Sequence, residues 1–324
     1  MRTGLTRKLA LALAAAGTLA LLLRRRRRPR LPARLPGGAR PRALITGASS
    51  GIGAEFARQL AAQGYNLVLC ARREERLRAL AGELAQAHGV TADTLVADLA
   101  KPEGIEAAAQ YIAGLADLEI LVNNAGFGTE GRFARADAGR ESDMVSVHMA
   151  APVRLSRAAL PGMLARGRGA IINVSSVAAS FPLPGNVLYS SSKAFLNAFS
   201  RALHVEVDGT GVRVQALCPG FTITEFHDPL GRFERRRIPA FLWMQAEDVV
   251  AQSLAALWDG PVVFVPGRLY PLIAALGRLP FLDPVLRIGT RLVLRGRTEL
   301  TQHAPPDTVK LRHDAGGRPD VVVQ

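Results

Sequence analysis

The chain has 324 residues, of which 48% are hydrophobic and 21% are charged. This composition supplies enough apolar side chains for a large core, and it excludes a disordered or collagen-like chain. The two cysteines, Cys70 and Cys218, are too few for a fold held together by disulfides, which favours a reducing compartment.

The net charge of +14 is concentrated at the ends of the chain. Residues 1–42 carry 12 basic and no acidic residues, whereas residues 43–267 carry 20 basic and 22 acidic residues. The central region therefore has no net basic field of the kind that nucleic-acid binding requires, and we predict no nucleic-acid partner.

Residues 9–23 form an apolar segment between three basic residues and five consecutive arginines. As a helix it would be about 22 Å long, which is short of the ~30 Å core of a bilayer, but flanking arginines extend the effective span. The pattern predicts a membrane anchor over residues 1–28, with the chain after it on the cytoplasmic side because the heavier positive flank lies there. A cleaved signal peptide and an interfacial helix are the alternatives. Residues 29–42, rich in Pro, Gly and Arg, are predicted to be a linker.

Short apolar runs alternate with longer amphipathic patterns between residues 43 and 267. Strands are predicted at residues 43–46, 66–70, 91–97, 119–122, 170–174, 212–217 and 262–265. Helices are predicted at residues 54–63, 73–88, 103–115, 193–208 and 246–258. A further long helical region is predicted after the fourth strand, up to about residue 165. Such alternation is typical of a doubly wound α/β fold, in which helices cover both faces of a parallel sheet. Ligands of this fold bind at the carboxyl ends of the strands.

The first predicted strand runs into a glycine-rich turn, Thr46-Gly47-Ala48-Ser49-Ser50-Gly51-Ile52-Gly53, and a helix follows. Glycines let the backbone turn tightly and approach a pyrophosphate, while the helix N-terminus offers free N–H groups. The sequence therefore predicts a dinucleotide site built from Gly47, Ser49, Ser50, Gly51, Ile52 and Gly53.

The second predicted strand ends at Cys70-Ala71-Arg72-Arg73, without the carboxylate that binds the ribose hydroxyls of NAD. An arginine here suits a 2′-phosphate, so we predict NADP(H), with Arg72 as the main ligand and Arg73 as the weaker candidate. The alternative is that both arginines only begin the solvated face of a helix.

Two polar turns follow the third and fourth predicted strands. Asp98 lies in the first turn, and Asn123-Asn124-Ala125-Gly126 forms the second. Taken alone, both are turn signals, because aspartate caps turns and Asn and Gly tolerate positive φ.

The fifth predicted strand is followed by Ser176, and Tyr189 and Lys193 come soon after it. A Tyr and a Lys four residues apart on a helix lie on one face. A nearby ammonium lowers the pKa of a phenol from about 10, so the tyrosine can donate a proton to a carbonyl oxygen as hydride arrives from a nicotinamide. We therefore predict an acid–base site in which Lys193 lowers the pKa of Tyr189.

Together these motifs, in this order, resemble the short-chain dehydrogenase/reductase family over about residues 41–267. The resemblance implies a Rossmann-like fold of about seven strands, with Tyr189 as the acid/base. It implies that Ser176 holds the substrate carbonyl, that Lys193 binds the nicotinamide ribose, and that Asp98 binds the adenine. It further implies cofactor contacts from Asn124, Ala125, Gly126, Pro219, Gly220 and Thr224. Members of the family commonly form homodimers or homotetramers, and the same is expected here.

His148 is the one departure from the family pattern. It stands where the family usually has an asparagine that holds a water of the proton relay to the lysine. A histidine brings its own titratable ring, so we include His148 among the candidate catalytic residues. The alternative is a neutral helix residue without a chemical role.

The segment from Phe221 to Gln245 contains many large apolar side chains, which predicts a lipophilic substrate. The alternative is that these side chains pack onto the core or onto a partner subunit. Residues 268–297 are predicted to form amphipathic helices on a membrane surface or over the substrate entrance, and residues 298–324 to be a disordered tail.

The sequence therefore predicts a membrane-associated, NADPH-dependent enzyme that reduces a lipophilic ketone or oxidises the corresponding alcohol. It predicts no metal site. The alternative function is a membrane-anchored NADP-binding scaffold whose turnover has been lost through His148.

Overall fold

The computed structural model describes residues 38–129, 133–181, 185–226 and 238–277, together with the backbone of residues 311–313 and 319–321. The predicted anchor at 1–28, the linker up to residue 37 and the apolar region after residue 277 lie outside the described residues. Within the predicted disordered tail, Leu311–His313 pairs in antiparallel fashion with Pro319–Val321.

Seven strands form one parallel sheet in the order β3-β2-β1-β4-β5-β6-β9. Its strands are β1 Arg42–Thr46, β2 Asn66–Ala71, β3 Ala92–Val96, β4 Leu118–Asn123, β5 Gly169–Val174, β6 Val212–Leu217 and β9 Val263–Phe264. The order reverses between β1 and β4, which is where ligands bind in doubly wound folds. The predicted fold class is therefore confirmed for this part of the chain.

Helices lie on both faces of this sheet. The helices are α1 Gly51–Ala62, α2 Glu74–His88, α3 Pro102–Ala113, α4 Ala138–Val145, α5 Ala151–Arg166, α6 Val187–Glu206, α7 Ala246–Ala256 and α8 Tyr270–Leu276. All of them except α4 and α8 contribute buried residues to the two hydrophobic core layers on the sheet. In α1, Ala54, Ala57 and Ala61 recur on the buried face, and their small side chains let the helix lie close to the sheet.

Three regions differ from the predicted elements. The long helical region before residue 165 begins only at α4, and a π-helical turn, Ser146–Ala150, separates α4 from α5. Helix α6 begins at Val187, earlier than predicted, so that Tyr189 and Lys193 both lie within it. Two short strands that were not predicted, β7 Thr222–Ile223 and β8 Met244–Gln245, pair in parallel within the long apolar segment.

The carboxyl ends of the parallel strands meet at one edge of the sheet, and the glycine-rich and polar turns of the sequence follow these ends. The glycine-rich turn follows β1, Asn124 follows β4, and Pro219 follows β6. In the part of the chain that the structure describes, no helix is both long enough and apolar enough to cross a bilayer.

Candidate active site

The glycine-rich turn joins β1 to α1 in a shape that leaves little room for side chains. Gly47 and Gly51 adopt positive φ values of 65° and 56°, which favour glycine. A Cβ atom on Gly53 would overlap the carbonyl oxygen of Gly47 and the side chain of Asn124. The N-cap residue of α1, Ser50, makes no side-chain hydrogen bond to the helix. The first turn of α1 therefore presents N–H groups without a side-chain cap, an arrangement that fits the pyrophosphate of a dinucleotide.

Thr46 is a buried residue of this site for which sequence reasoning gave no role. Its Oγ1 accepts the backbone N–H groups of Asn124 at 2.9 Å and Ala125 at 3.0 Å. The side-chain amide of Asn124 donates in turn to the Thr46 carbonyl oxygen at 2.9 Å. The turns after β1 and β4 are thus locked together. A polar residue at the end of an otherwise apolar strand was the only signal for this role.

Arg73, rather than Arg72, contacts the glycine-rich turn. Its guanidinium donates to the hydroxyls of Ser49 at 2.8 Å and Ser50 at 2.7 Å, and it pairs with Glu225 at 3.2 Å. Arg73 folds back over the glycine-rich turn, and the ranking of the two arginines as ligands of the 2′-phosphate stays a prediction. Arg72 is exposed at the end of β2.

Glu225 connects Arg73 and Arg76 to the segment after β7. Its carboxylate also accepts from Arg76 at 2.7 Å. Hydrogen bonds from Arg76 and Arg73 lower the pKa of Glu225, so the carboxylate stays ionised. Nearby, the Thr224 side chain lies against Gly51, so Thr224 also borders the glycine-rich turn.

Asp98 makes a local turn at the end of β3. Its Oδ1 accepts the N–H of Ala100 at 3.1 Å, and its carbonyl oxygen accepts the N–H of Lys101 at 3.0 Å. Asp98 thus forms a turn in the structure, as one of the two interpretations of its sequence position predicts. Its contact with an adenine stays a prediction.

Ser176, Tyr189 and Lys193 come together at the carboxyl end of β5. Lys193 is buried, with its Nζ 2.9 Å from the carbonyl oxygen of Val174 and 5.6 Å from the centre of the Tyr189 ring. The hydroxyl of Ser175 donates to the Lys193 carbonyl oxygen at 2.8 Å. The end of β5 therefore fixes the helix turn that carries the Tyr–Lys pair.

Buried amides hold α6 in place behind this pair. The Asn173 side chain on β5 donates to the Ser200 hydroxyl on α6 at 2.9 Å. Its Oδ1 accepts from the Asn123 amide at 2.8 Å. Because removing one partner leaves the other unpaired in the core, this network fixes the rotation of α6, and with it the direction of Tyr189.

The pKa of Tyr189 differs from the sequence-based prediction. Burial raises it to about 12, and the hydrogen bond with Ser176 only partly opposes this effect. Burial likewise lowers the pKa of Lys193 to about 8. The prediction that Lys193 lowers the pKa of Tyr189 below its ordinary value is therefore wrong for the protein alone, because burial of the phenol raises this pKa. The phenol is consequently a proton donor at neutral pH.

His148 lies in the π-helical turn, and both of its ring nitrogens make hydrogen bonds. Its Nε2 is 3.0 Å from the backbone nitrogen of Phe127, and its Nδ1 is 3.0 Å from the hydroxyl of Ser192. Since a backbone N–H can only donate, Nε2 accepts and Nδ1 carries the proton. The Ser192 hydroxyl then donates to the Tyr189 carbonyl oxygen at 2.8 Å.

Burial lowers the pKa of His148 well below 6.5, with a further contribution from Lys193. The imidazole is therefore neutral. It links the loop after β4 to the helix turn of Tyr189, a role that the sequence could not reveal because both contacts of the His148 ring are with residues distant in the chain. Gly126 lies beside it, close to the His148 ring and the Lys193 ammonium.

Aromatic rings line the region around Tyr189. The Phe226 ring centre is 5.8 Å from that of Tyr189, and the Phe221 and Trp243 ring centres are 5.5 Å apart. Pro219 and Gly220 directly precede Phe221 in the sequence, and the Pro219 carbonyl oxygen accepts the N–H of Val177 at 3.0 Å. The wall next to the Tyr–Lys pair is thus partly apolar.

The fold and the site together define an α/β protein of the dinucleotide-binding class, with a Tyr–Lys pair at the carboxyl edge of its sheet. Residues 41–235 match the sequence profile of the family described as short chain dehydrogenase. The chain belongs to the short-chain dehydrogenase family.

Three similar proteins illustrate this relationship. A very-long-chain 3-oxoacyl-CoA reductase of Anas platyrhynchos is 39% identical over 189 residues, 56% of this chain and 60% of that protein. The inactive hydroxysteroid dehydrogenase-like protein 1 of Homo sapiens is 35% identical over 58% of this chain and 57% of that protein. The match thus spans about 60% of the length of these relatives.

A solved structure covers more of the chain. The short-chain dehydrogenase from Sphingobium yanoikuyae in complex with NADPH is 33% identical, with a TM-score of 0.67. The similarity covers 82% of this chain and 99% of that one.

Proposed function

We propose that this chain is an NADP(H)-dependent oxidoreductase that reduces a lipophilic ketone or oxidises the corresponding secondary alcohol. The observation that supports the proposal is that Ser176, Tyr189 and Lys193 lie at the same edge of the sheet as the glycine-rich turn. NADPH, when bound, supplies the hydride that adds to the carbonyl carbon. The solved relative that holds NADPH supports this choice of cofactor.

The proton for the carbonyl oxygen comes from Tyr189. Its raised pKa keeps the phenol protonated, as reduction requires, and the Ser176 hydroxyl holds the substrate oxygen next to it. The Lys193 ammonium lies over the Tyr189 ring and stabilises the phenolate left after the transfer. In the oxidation direction the same phenolate takes the proton back.

We assign each of the remaining predicted residues to a part of the cofactor. The glycine-rich turn and the start of α1 hold the pyrophosphate. Asp98 would hold the adenine, Arg72 and Arg73 the 2′-phosphate, and Lys193 the nicotinamide ribose. Pro219, Gly220 and Thr224 would border the nicotinamide, and Asn124, Ala125 and Gly126 would make further contacts with the cofactor.

A lipophilic substrate is supported by the Phe226 ring beside Tyr189 and by the Phe221–Trp243 pair. The relative named as a very-long-chain 3-oxoacyl-CoA reductase fits the same substrate class. The test is to incubate the full chain, in detergent, with NADPH and a panel of 3-oxoacyl, steroid and small polar ketones. We expect oxidation of NADPH with the bulky apolar ketones and little with the polar ones. NADPH oxidation confined to the polar ketones would contradict the substrate class.

The second candidate is a membrane-anchored scaffold that binds NADP(H) without turnover. His148 in place of the usual asparagine and the similarity to a relative named as inactive favour it. In the same assay, tight NADPH binding without oxidation of NADPH by any ketone would support the scaffold over the enzyme.

We also propose that the protein associates with membrane lipids, its catalytic domain facing the cytoplasm, and that it forms a homodimer or homotetramer. Leu269, Leu272 and Leu276 on and beside α8 are large apolar side chains exposed to solvent, which suits a surface that meets lipid. Removing residues 1–28 should release the protein from membranes while its chemistry persists. Continued sedimentation with lipid would assign the attachment to the C-terminal region instead.

A further inference from the structure

Tyr270 is a buried residue at the start of α8, after the residues that match the family profile. Its side chain is only 5% exposed, although the leucines of the same short helix face solvent. Tyr270 therefore points inward, toward the loop that follows β6.

The Tyr270 hydroxyl joins two distant stretches of backbone. It accepts the N–H of Phe221 at 2.9 Å and donates to the carbonyl oxygen of Leu242. Burial raises the pKa of Tyr270, so the phenol stays neutral and can donate and accept at once. One side chain thus ties the residue after Gly220 to the residues that lead into β8.

The ring of Tyr270 packs directly against Gly220. A Cβ atom on Gly220 would overlap three carbons of that ring. Gly220 is therefore required by the approach of Tyr270 and not by an unusual backbone angle, and the ring covers the back of the Pro219-Gly220 turn.

The backbone around Phe221 is held at both of its polar groups. Its N–H is bound by Tyr270, and its carbonyl oxygen accepts the N–H of Met244 at 2.9 Å. Pro219 is tied separately to Val177. Of these contacts, only the one to Tyr270 comes from a side chain, so it alone can be removed by a point substitution.

We propose that Tyr270 is a positioning residue for the cofactor, holding the loop Pro219–Thr224 in the shape that the nicotinamide half of NADP(H) requires. The proposal rests on the proposed function for the identity of the cofactor. It assigns to the C-terminal region, outside the family match, a direct role in shaping the cofactor site.

The test compares Tyr270→Phe with Tyr111→Phe in the full chain. The first substitution removes the hydroxyl and keeps the ring against Gly220. The second is the matched control, because Tyr111 lies on α3, partly exposed and away from this loop. NADPH affinity is measured by isothermal titration, and amide exchange is followed by mass spectrometry on the peptide that covers residues 219–224.

We expect Tyr270→Phe to weaken NADPH binding about tenfold and to speed amide exchange in residues 219–224, with no change in α3. Tyr111→Phe should change neither quantity. NADPH affinity within twofold of the wild type in a folded Tyr270→Phe protein would overturn the proposal, even if exchange rises, because the contact would then be structural only.

If the Tyr270→Phe variant does not fold, a second measurement on the unmodified protein tests the proposal. The Phe221 amide should already exchange slowly in the wild type, as slowly as the strand β6 before it, and rapid exchange there would overturn the proposal. Failure of the wild type to bind NADPH would instead refute the proposed function. The exchange of Phe221 would still report on the Tyr270 contact.

Discussion

The ammonium of Lys193 donates to the carbonyl oxygen of Val174, the last residue of β5, at 2.9 Å. This bond attaches the acid–base helix to the sheet edge and places a cation inside the protein. Because the site is buried, the pKa of Lys193 falls to about 8. The charge that supports Tyr189 is therefore present at neutral pH and is lost under mildly alkaline conditions.

The rate of ketone reduction should fall above pH 8, since Lys193 loses its proton there while Tyr189, with a pKa of about 12, keeps its own.

The contribution of Lys193 to the stability of the folded protein should change in the opposite direction. The folded pKa lies below the ordinary value of 10.5, so the unfolded chain binds more protons between pH 8 and 10.5, and this group's contribution to stability rises over that range. Measuring kcat/KM and the thermal midpoint at each pH separates the two effects. A rate that stays level up to pH 10 would contradict the assignment of Lys193.

Replacing Tyr189 with Phe should lower kcat for ketone reduction by at least two to three orders of magnitude, the usual size of general acid catalysis. Binding of NADPH should change little, because the substitution removes only the hydroxyl. Single-turnover kinetics and a cofactor titration on the same preparation check both statements. Tyr65→Phe, at a buried tyrosine of the core, serves as the control. A Phe variant with near-normal kcat would remove Tyr189 from the mechanism.

Arg72→Glu and Arg73→Glu should each shift the preference from NADPH toward NADH by about tenfold, or about 1.4 kcal/mol. We expect the larger shift for Arg73→Glu, because its guanidinium already lies on the Ser49 and Ser50 hydroxyls. Arg78→Glu is the control, since Arg78 is exposed on α2, the helix that follows the two arginines, and pairs only with Glu74 in the described chain. The ratio of kcat/KM for the two cofactors is the measurement. An unchanged ratio in both variants would show that neither arginine binds the 2′-phosphate.

His148→Asn should leave kcat within about tenfold of the wild type, because an amide oxygen can also accept the Phe127 N–H. His148→Leu should be worse, since it leaves the buried Phe127 N–H without an acceptor, at a cost of about 1–3 kcal/mol. The wild type should also lose stability as the pH falls below 6.5. The depressed pKa of His148 means that the unfolded chain binds its proton first.

His148→Asn removes that group, so its urea midpoint should change less between pH 7 and pH 5 than the wild-type midpoint. Equal changes in the two proteins would show that His148 titrates normally in the folded state. The catalytic comparison is made at pH 7, where the ring is neutral in either case.

The sequence alone determined the sheet and the edge at which the site lies. Glycines, a Tyr–Lys pair and alternating apolar runs are local patterns that can be read from the sequence. In a parallel sheet the carboxyl ends of all strands lie at one edge, whatever the conformation of the loops. What the sequence could not determine depends on contacts between residues far apart in the chain. These are the contact of Arg73 with Ser49 and Ser50, the locking role of Thr46, the tautomer of His148, and the approach of Tyr270 to Gly220. The pKa of Tyr189 belongs with them, because spacing on a helix shows which charge is near, whereas only the packed structure shows how much water has been removed.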